Sequence, residues 1–294
     1  MISASLVKEL RDKTGAGMMD CKRALTETNG DLEKAIDWLR EKGISKAEKK
    51  ADRIAAEGLA DIVIDGNNAY IFEVNSETDF VAKNDQFLNL IKTLGEIAVK
   101  VQANNEQDVL NGSLNGQTGQ DYVINATATI GEKISLRRLA KVTKNDDEVF
   151  GAYKHMGGKI AVVSVLTGNN AELAKDVCMH VAAMNPRFLD STQVPQEVIE
   201  HEKHVLTQEA LNEGKPMAIV EKMVIGRVNK YLKEICLVDQ PFVKNQDETV
   251  GQHVKNNGSS IRSFIRYEVA EGMQKRVDNF AEEVAAQVQA AQKR

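Results

Sequence analysis

Over the first 54 residues the apolar positions recur three and four apart, the spacing that gathers them on one face of an α-helix. Leu6, Val7 and Leu10 share a face of a first helix that stops at Thr14-Gly15. Met18, Cys21, Ala24 and Leu25 do the same in a second, which stops at Asn29-Gly30. Asp31 fits the N-cap of a third, with Leu32, Ala35, Ile36 and Leu39 facing inward and Gly43 ending it. Three short helices with one shared apolar core predict a small bundle over residues 1–54. The polar, alanine-rich stretch Ser45 to Ala56 reads as a helical linker.

From Gly58 the period changes from 3.6 to 2. Leu59 to Ile64 and Ala69 to Val74, joined by Asp65-Gly66-Asn67-Asn68, predict a β-hairpin. A loop follows, then an amphipathic helix from about Asp85 with Phe87, Leu88, Leu90, Ile91, Leu94 and Ile97. The same order recurs: Val149 to His155, the turn Met156-Gly157-Gly158, Lys159 to Leu166, then a helix with Leu173, Val177, His180, Val181 and Met184. This is the pattern of a duplicated hairpin-plus-helix unit. Between the copies, the Gly/Asn/Gln-rich stretch Asn104 to Gln120 is expected to be a surface excursion, and Ile130 to Arg138 to be strand-like. Residues 188–236 predict an inserted helical hairpin turning at Gly214-Lys215-Pro216, and a last helix is expected near residues 278–289, with Phe280, Val284 and Val288 on one face.

The fold class expected is therefore α+β. It comprises an N-terminal helical domain (1–54), a first core half (55–148), a second core half (149–187 with 237–265), a coiled-coil arm (188–236) and a C-terminal helical module (266–294). A seam as thin as the arm's calls for a partner surface.

Composition narrows the function. The 294 residues are 42 % hydrophobic and 28 % charged, as in a soluble globular protein. A formal net charge of −5 argues against nucleic acid as the main partner, because binding phosphates needs a cationic surface that releases counterions. The most basic window, Lys46 to Arg53, also carries Glu48 and Asp52 and reads as a solvated helix face. The apolar run Ile160 to Leu166 is too short to span a bilayer, and the first residues lack a signal-peptide pattern. Cys21, Cys178 and Cys236 suggest neither a disulfide framework nor paired metal ligands, so a reducing cytoplasm is the expected compartment.

No motif asks for catalysis. Gly15-Ala16-Gly17 lacks the third glycine of a dinucleotide fingerprint and follows a helix, not a strand. A phosphate-binding Gly-x-x-x-x-Gly-Lys-[Ser/Thr] loop is absent. His201 and His204 are spaced i, i+3, one short of the zincin pair. The expectation is a protein with no active-site chemistry, no metal and no cofactor.

One loop stands out. Asn75-Ser76-Glu77-Thr78-Asp79-Phe80-Val81-Ala82-Lys83 places two apolar side chains among polar ones. Phe80 either folds back as a staple for the following helix or is an aromatic anchor offered to a partner pocket.

Leu10-Arg11-Asp12-Lys13-Thr14-Gly15-Ala16-Gly17-Met18-Met19-Asp20-Cys21-Lys22-Arg23-Ala24-Leu25 resembles the N-terminal signature of the bacterial elongation factor Ts family, and Glu73 to Lys83 resembles its second signature. Ile130 to Arg138, Phe264 to Val269 and the helical insertion are similar as well, so the resemblance runs nearly end to end. It is weakest at Asn104 to Gln120 and at Gln287, where an apolar residue is expected.

The resemblance implies a ubiquitin-associated-like N-domain and a dimerising arm. It also implies guanine nucleotide exchange on the translation GTPase elongation factor Tu, in a 2:2 complex. Thr78, Asp79, Phe80 and Val81 then match the loop that wedges into the partner's nucleotide domain, with Phe80 entering between partner histidines and Mg²⁺ being dislocated. Lys22, Met18, Met19, His155, Ile130 and Gly131 match secondary contacts. The rival reading is a ubiquitin-associated-type adaptor without exchange activity, resting on the N-terminal bundle alone.

Overall fold

A computed structural model of the chain describes residues 2–214 and 216–274. The expected helix near 278–289 lies outside the described residues. Helices α1 (Ala4–Thr14), α2 (Met18–Glu27) and α3 (Leu32–Glu48) enclose a small core of Val7, Leu10, Cys21, Ala24, Leu25 and Ala35. Ser3 and Asp31 cap α1 and α3, each side chain accepting a backbone N–H three residues on. Gly43 does not end α3, contrary to the sequence expectation. It lies buried inside the helix, where an added Cβ would come 3.5 Å from the Ala128 Cβ. Ser45 to Glu48 accordingly belong to α3, and the turns that follow are short.

Two three-stranded antiparallel sheets follow. The first, in order β1 (Glu57–Asp65), β2 (Asn68–Ser76), β5 (Ser135–Thr143), is completed within one stretch of chain. Helix α4 (Asp85–Val101) covers one face of it, with α5 (Glu106–Asn111) and α6 (Gly119–Ile130). The second sheet places β7 (Ile160–Thr167) between β6 (Glu148–His155) and β10 (Ile261–Glu268). It is covered by α7 (Ala171–Met184) and α10 (Val250–Asn256).

Alternation along the central strands explains the layering. Tyr70, Phe72 and Val74 of β2 face the helices and join Phe87, Leu90, Ile91 and Leu94 of α4. Ala69 and Ile71 face the other way and meet Ala161 and Val163 of β7. The two sheets thus pack face to face through small and β-branched side chains, with helices outside both. That is the α+β class the period change predicted.

Residues 104–120 are not a bare excursion. They form α5 and a miniature hairpin, β3 (Ser113–Leu114) with β4 (Gln117–Thr118), and Val109 is fully buried. Asn115 and Gly116 between the strands have φ +51° and +80°, the left-handed pair that a two-residue hairpin turn requires. The strand expected from Ile130 is also corrected. Ile130 ends α6, Gly131 supplies the left-handed cap at φ +89°, and the strand starts at Ser135.

The arm is an antiparallel pair, α8 (Gln196–Asn212) and α9 (Met217–Ile235), seamed by Ala210, Val220 and Val224. Its base is sealed by Phe188, Val194, Ile235 and Cys236. Beyond it, the hairpin β8 (Pro241–Phe242) with β9 (Asn245–Thr249) leads to α10 and back into the second sheet.

Candidate partner-binding loop

Strand β2 ends at Ser76, and α4 begins at Asp85 with Asn84 as its N-cap. The intervening turn is short and heavily bonded. Val81 and Ala82 drop into the core under α4, and Val81–Lys83 forms one turn of 3₁₀-helix, with the Lys83 N–H donating to the Phe80 carbonyl and the Asn84 N–H to the Val81 carbonyl. Phe80 opens that turn with ordinary right-handed dihedrals (φ −63°, ψ −42°), so nothing in its backbone is strained.

Its ring points outward and is 82 % exposed, more than any other large apolar side chain among the described residues. Burying a phenyl ring is normally favourable by roughly 1.5–3 kcal/mol, so leaving it in water next to an accessible core requires the backbone to hold it there. Of the two sequence readings for Phe80, the inward staple is not what the chain adopts. Asp79 is exposed beside it and Thr78 is half-buried. Val81 departs from the expectation of a partner contact: at 7 % exposure it anchors the loop from below.

Anchoring also comes from the side. The Glu132 carboxylate accepts the Glu77 and Thr78 N–H groups at 3.1 and 3.0 Å and the Thr78 hydroxyl at 2.7 Å. Glu77 in turn accepts the Lys133 N–H at 2.6 Å and pairs with Arg53 at 2.9 Å. Sequence reasoning missed Glu132, because a carboxylate 54 positions away carries no local signal.

The secondary positions sit on different elements. Met18 and Met19, 55 % and 70 % exposed, open α2 on the solvent side together with Lys22. Their helical corner approaches the first turn of α4: a Cβ on Gly15 would lie 3.9 Å from Gln86 Nε2. Ile130 and Gly131 close α6 just ahead of Glu132, and the Lys50 ammonium donates to the Gly131 carbonyl. His155 ends β6 with its Nδ1 3.2 Å from the Tyr153 hydroxyl. The exposed Met156 follows it. Two residues on, Gly158 abuts β1, where an added Cβ would come 3.1 Å from the Ala60 carbonyl oxygen.

Among the described residues there is no cluster of three or more His, Cys, Asp or Glu able to hold a metal ion. Burial pushes the Cys178 thiol up to about 12 and the Cys236 thiol up to about 11, so neither is a thiolate at neutral pH.

An exposed aromatic held on a fixed loop is a geometry suited to recognition. The family model described as Elongation factor TS matches residues 77–271, well over half the chain, starting inside this loop. The chain belongs to the elongation factor Ts family. Elongation factor Ts is a nucleotide exchange factor for elongation factor Tu and has no catalytic chemistry of its own. No helix among the described residues is long and apolar enough to cross a membrane.

Proposed function

We propose that this chain accelerates GDP release from elongation factor Tu by pressing Phe80 into the partner's nucleotide-binding domain. A GTPase holds GDP through backbone donors around the phosphates and through Mg²⁺, which neutralises their charge. An exchange factor need not touch the nucleotide. It has only to favour a partner conformation in which the Mg²⁺ ligands and phosphate loop are misplaced. The observation that carries this reading is the outward Phe80 ring on a loop bonded at both ends. A phenyl ring removes about 150–250 Å² from water when it inserts, enough to hold two partner helices apart.

Thr78 and Asp79 flank the ring, Thr78 holding the loop and Asp79 lying exposed toward a partner backbone. Met18, Met19 and Lys22 on α2, Ile130 and Gly131 at the end of α6, and His155 on the β6–β7 turn supply the secondary contacts. Coupling between ligands is reciprocal: as far as this chain weakens GDP binding, GDP weakens its binding. Incoming nucleotide therefore expels the factor, and the equilibrium between GDP- and GTP-bound partner is untouched. The arm, whose Val205, Leu211, Met217, Ile219 and Ile225 all reach solvent, joins two copies in a 2:2 assembly.

The test is release of fluorescent GDP from purified elongation factor Tu, with and without this chain. Phe80→Ala is expected to slow stimulated release about 30-fold, the loss of a hot-spot anchor worth about 2 kcal/mol. Its thermal unfolding should match the parent chain, since the ring packs on little of its own domain. Release that Phe80→Ala stimulates as well as the parent does would remove the wedge.

A further inference from the structure

We propose that Glu132 is a positioning residue for exchange: its carboxylate pre-orders the loop so that Phe80 meets the partner already in its docking geometry. The inference rests on the wedge reading and deepens it. Two successive amides, Glu77 and Thr78, point at the same Glu132 oxygen, and the Thr78 hydroxyl donates to the other. The Ser76 hydroxyl then closes the loop from the strand side by donating to the Thr78 carbonyl at 3.0 Å.

Phe80 thus has hydrogen-bonded backbone two residues before it and buried Val81 and Ala82 directly after it. Charge-assisted bonds to a carboxylate are about twice as strong as neutral ones, so this is a firm clamp for an exposed segment. Glu132 is itself placed by the left-handed cap at Gly131, which turns the chain out of α6 beside the loop. The return bond from the Lys133 N–H to Glu77 fixes the two segments reciprocally.

The consequence is kinetic. A mobile loop must be ordered as the ring inserts, and that ordering cost falls on the inserted state. Encounter, carried by contacts elsewhere on the chain, does not need the loop to be ordered. Losing the clamp should therefore lower the maximal rate of GDP release and leave the half-saturating concentration of the factor little changed. A merely structural role does the reverse: a partly unfolded factor has fewer active molecules, which shifts half-saturation and spares the maximum.

Four variants of the full chain test this with fluorescent GDP release across a range of factor concentrations: Glu132→Leu, Glu132→Gln, Phe80→Ala and the double variant Phe80→Ala/Glu132→Leu. Glu132→Leu is expected to lower the maximal rate roughly tenfold. It should also abolish hydrogen-exchange protection of the Glu77 and Thr78 amides alone. Glu132→Gln should recover most of the rate, because its carbonyl still accepts both amides and its amide can donate to the Thr78 oxygen. The double variant should be no slower than Phe80→Ala, since Glu132 acts through that ring. An unchanged maximal rate in Glu132→Leu, a Glu132→Gln as slow as Glu132→Leu, or additive losses in the double variant would overturn the role of Glu132 while leaving the wedge standing. A Phe80→Ala at full speed removes the wedge itself.

Discussion

The two halves of the core follow one plan and differ at three places. Each is a hairpin, a helix, an insertion and a third strand that returns beside the second, giving the orders β1-β2-β5 and β6-β7-β10. In the first half, the link from hairpin to helix is residues 77–84 and carries Phe80; in the second it is only residues 168–170. The insertion is α5 to α6 in one half and the arm with α10 in the other. Counting from the first residue of each central strand, Glu73 of β2 stands where β7 has Val165. The repeated parts supply a rigid body, and what distinguishes this chain's surface lies where the first half leaves the pattern.

The Glu73 difference is the largest energetically. Its carboxylate is fully buried yet accepts from Arg137 at 3.1 Å, Arg138 at 2.6 Å, Asn75 at 2.9 Å and the Ala270 N–H at 2.8 Å. A β-bulge makes this possible: Arg137 is the extra residue between the pairs Glu73↔Arg138 and Val74↔Leu136, so two consecutive arginines reach one acceptor. Burial alone would raise the Glu73 carboxyl, but the Ala270 N–H, Asn75 and Arg138 outweigh it and hold it below its usual value.

Making the halves alike with Glu73→Val should cost about 3 kcal/mol in urea unfolding, because it removes the acceptor shared by two arginines, Asn75 and the buried Ala270 N–H, while the guanidiniums keep their bonds to Glu268 and Glu271. A depressed carboxyl stabilises the fold above its unfolded value near 4.5 and loses that contribution as pH falls through the lower folded value. Glu73→Val should therefore also flatten stability below pH 4.5. A loss under 1 kcal/mol would mean that the arginines are hydrated and that Glu73 and Val165 are interchangeable.

The second half carries its own acid-sensitive group, at a higher pH. His180 of α7 is fully buried, with Nε2 2.9 Å from Gln240 Oε1 and Nδ1 accepting the Val243 N–H at 3.2 Å. Those partners fit only the neutral ring. Burial lowers its protonation, and the Gln240 bond offsets part of that. Stability from His180 is complete above its unfolded value near 6.5 and declines as pH drops below it. On acidification, amides of α7 and β7 should lose hydrogen-exchange protection before those of α4 and β2. His180→Gln should remove that order. Simultaneous loss in both halves would show that the two sheets open as one unit.

The smallest expected effect on the fold comes from trimming the insertions' difference. Replacing residues 200–230 with a short Gly-Ser turn keeps the arm's sealed base at Phe188, Ile235 and Cys236. Core stability should change by no more than about 0.5 kcal/mol. The mass in solution by light scattering should fall from a dimer to a monomer, with GDP release preserved. An unchanged mass would put self-association elsewhere on the chain.

Much of this architecture was legible because it is periodic. The strand-favouring apolar run Tyr70, Ile71, Phe72 and Val74 announced β2, and the spacing of Phe87, Leu90, Ile91 and Leu94 announced α4. Helix α6 was not legible. Its β-branched Val123, Ile124, Thr127, Thr129 and Ile130 favour strands, and packing against α3 and α4 overrides that preference. Its start was nonetheless written in the capping box of Thr118 and Asp121. Asn115-Gly116 marked the miniature hairpin equally clearly. Of the candidate site, Phe80 could be singled out from composition alone, but its outward pose could not, since that depends on contacts with residues far away in sequence. Val81, its neighbour in the same motif, points the opposite way, because the next position of the helical turn faces the core under α4.

The third strand of the second sheet has a consequence for the nascent chain. Strand β7 pairs with β6 at once, but its other edge waits for β10, roughly a hundred residues later, beyond the entire arm. The first sheet is closed long before that. During synthesis, then, one sheet has all its strands while the other shows a bare strand edge to its surroundings, an edge open to pairing with other chains until β10 arrives.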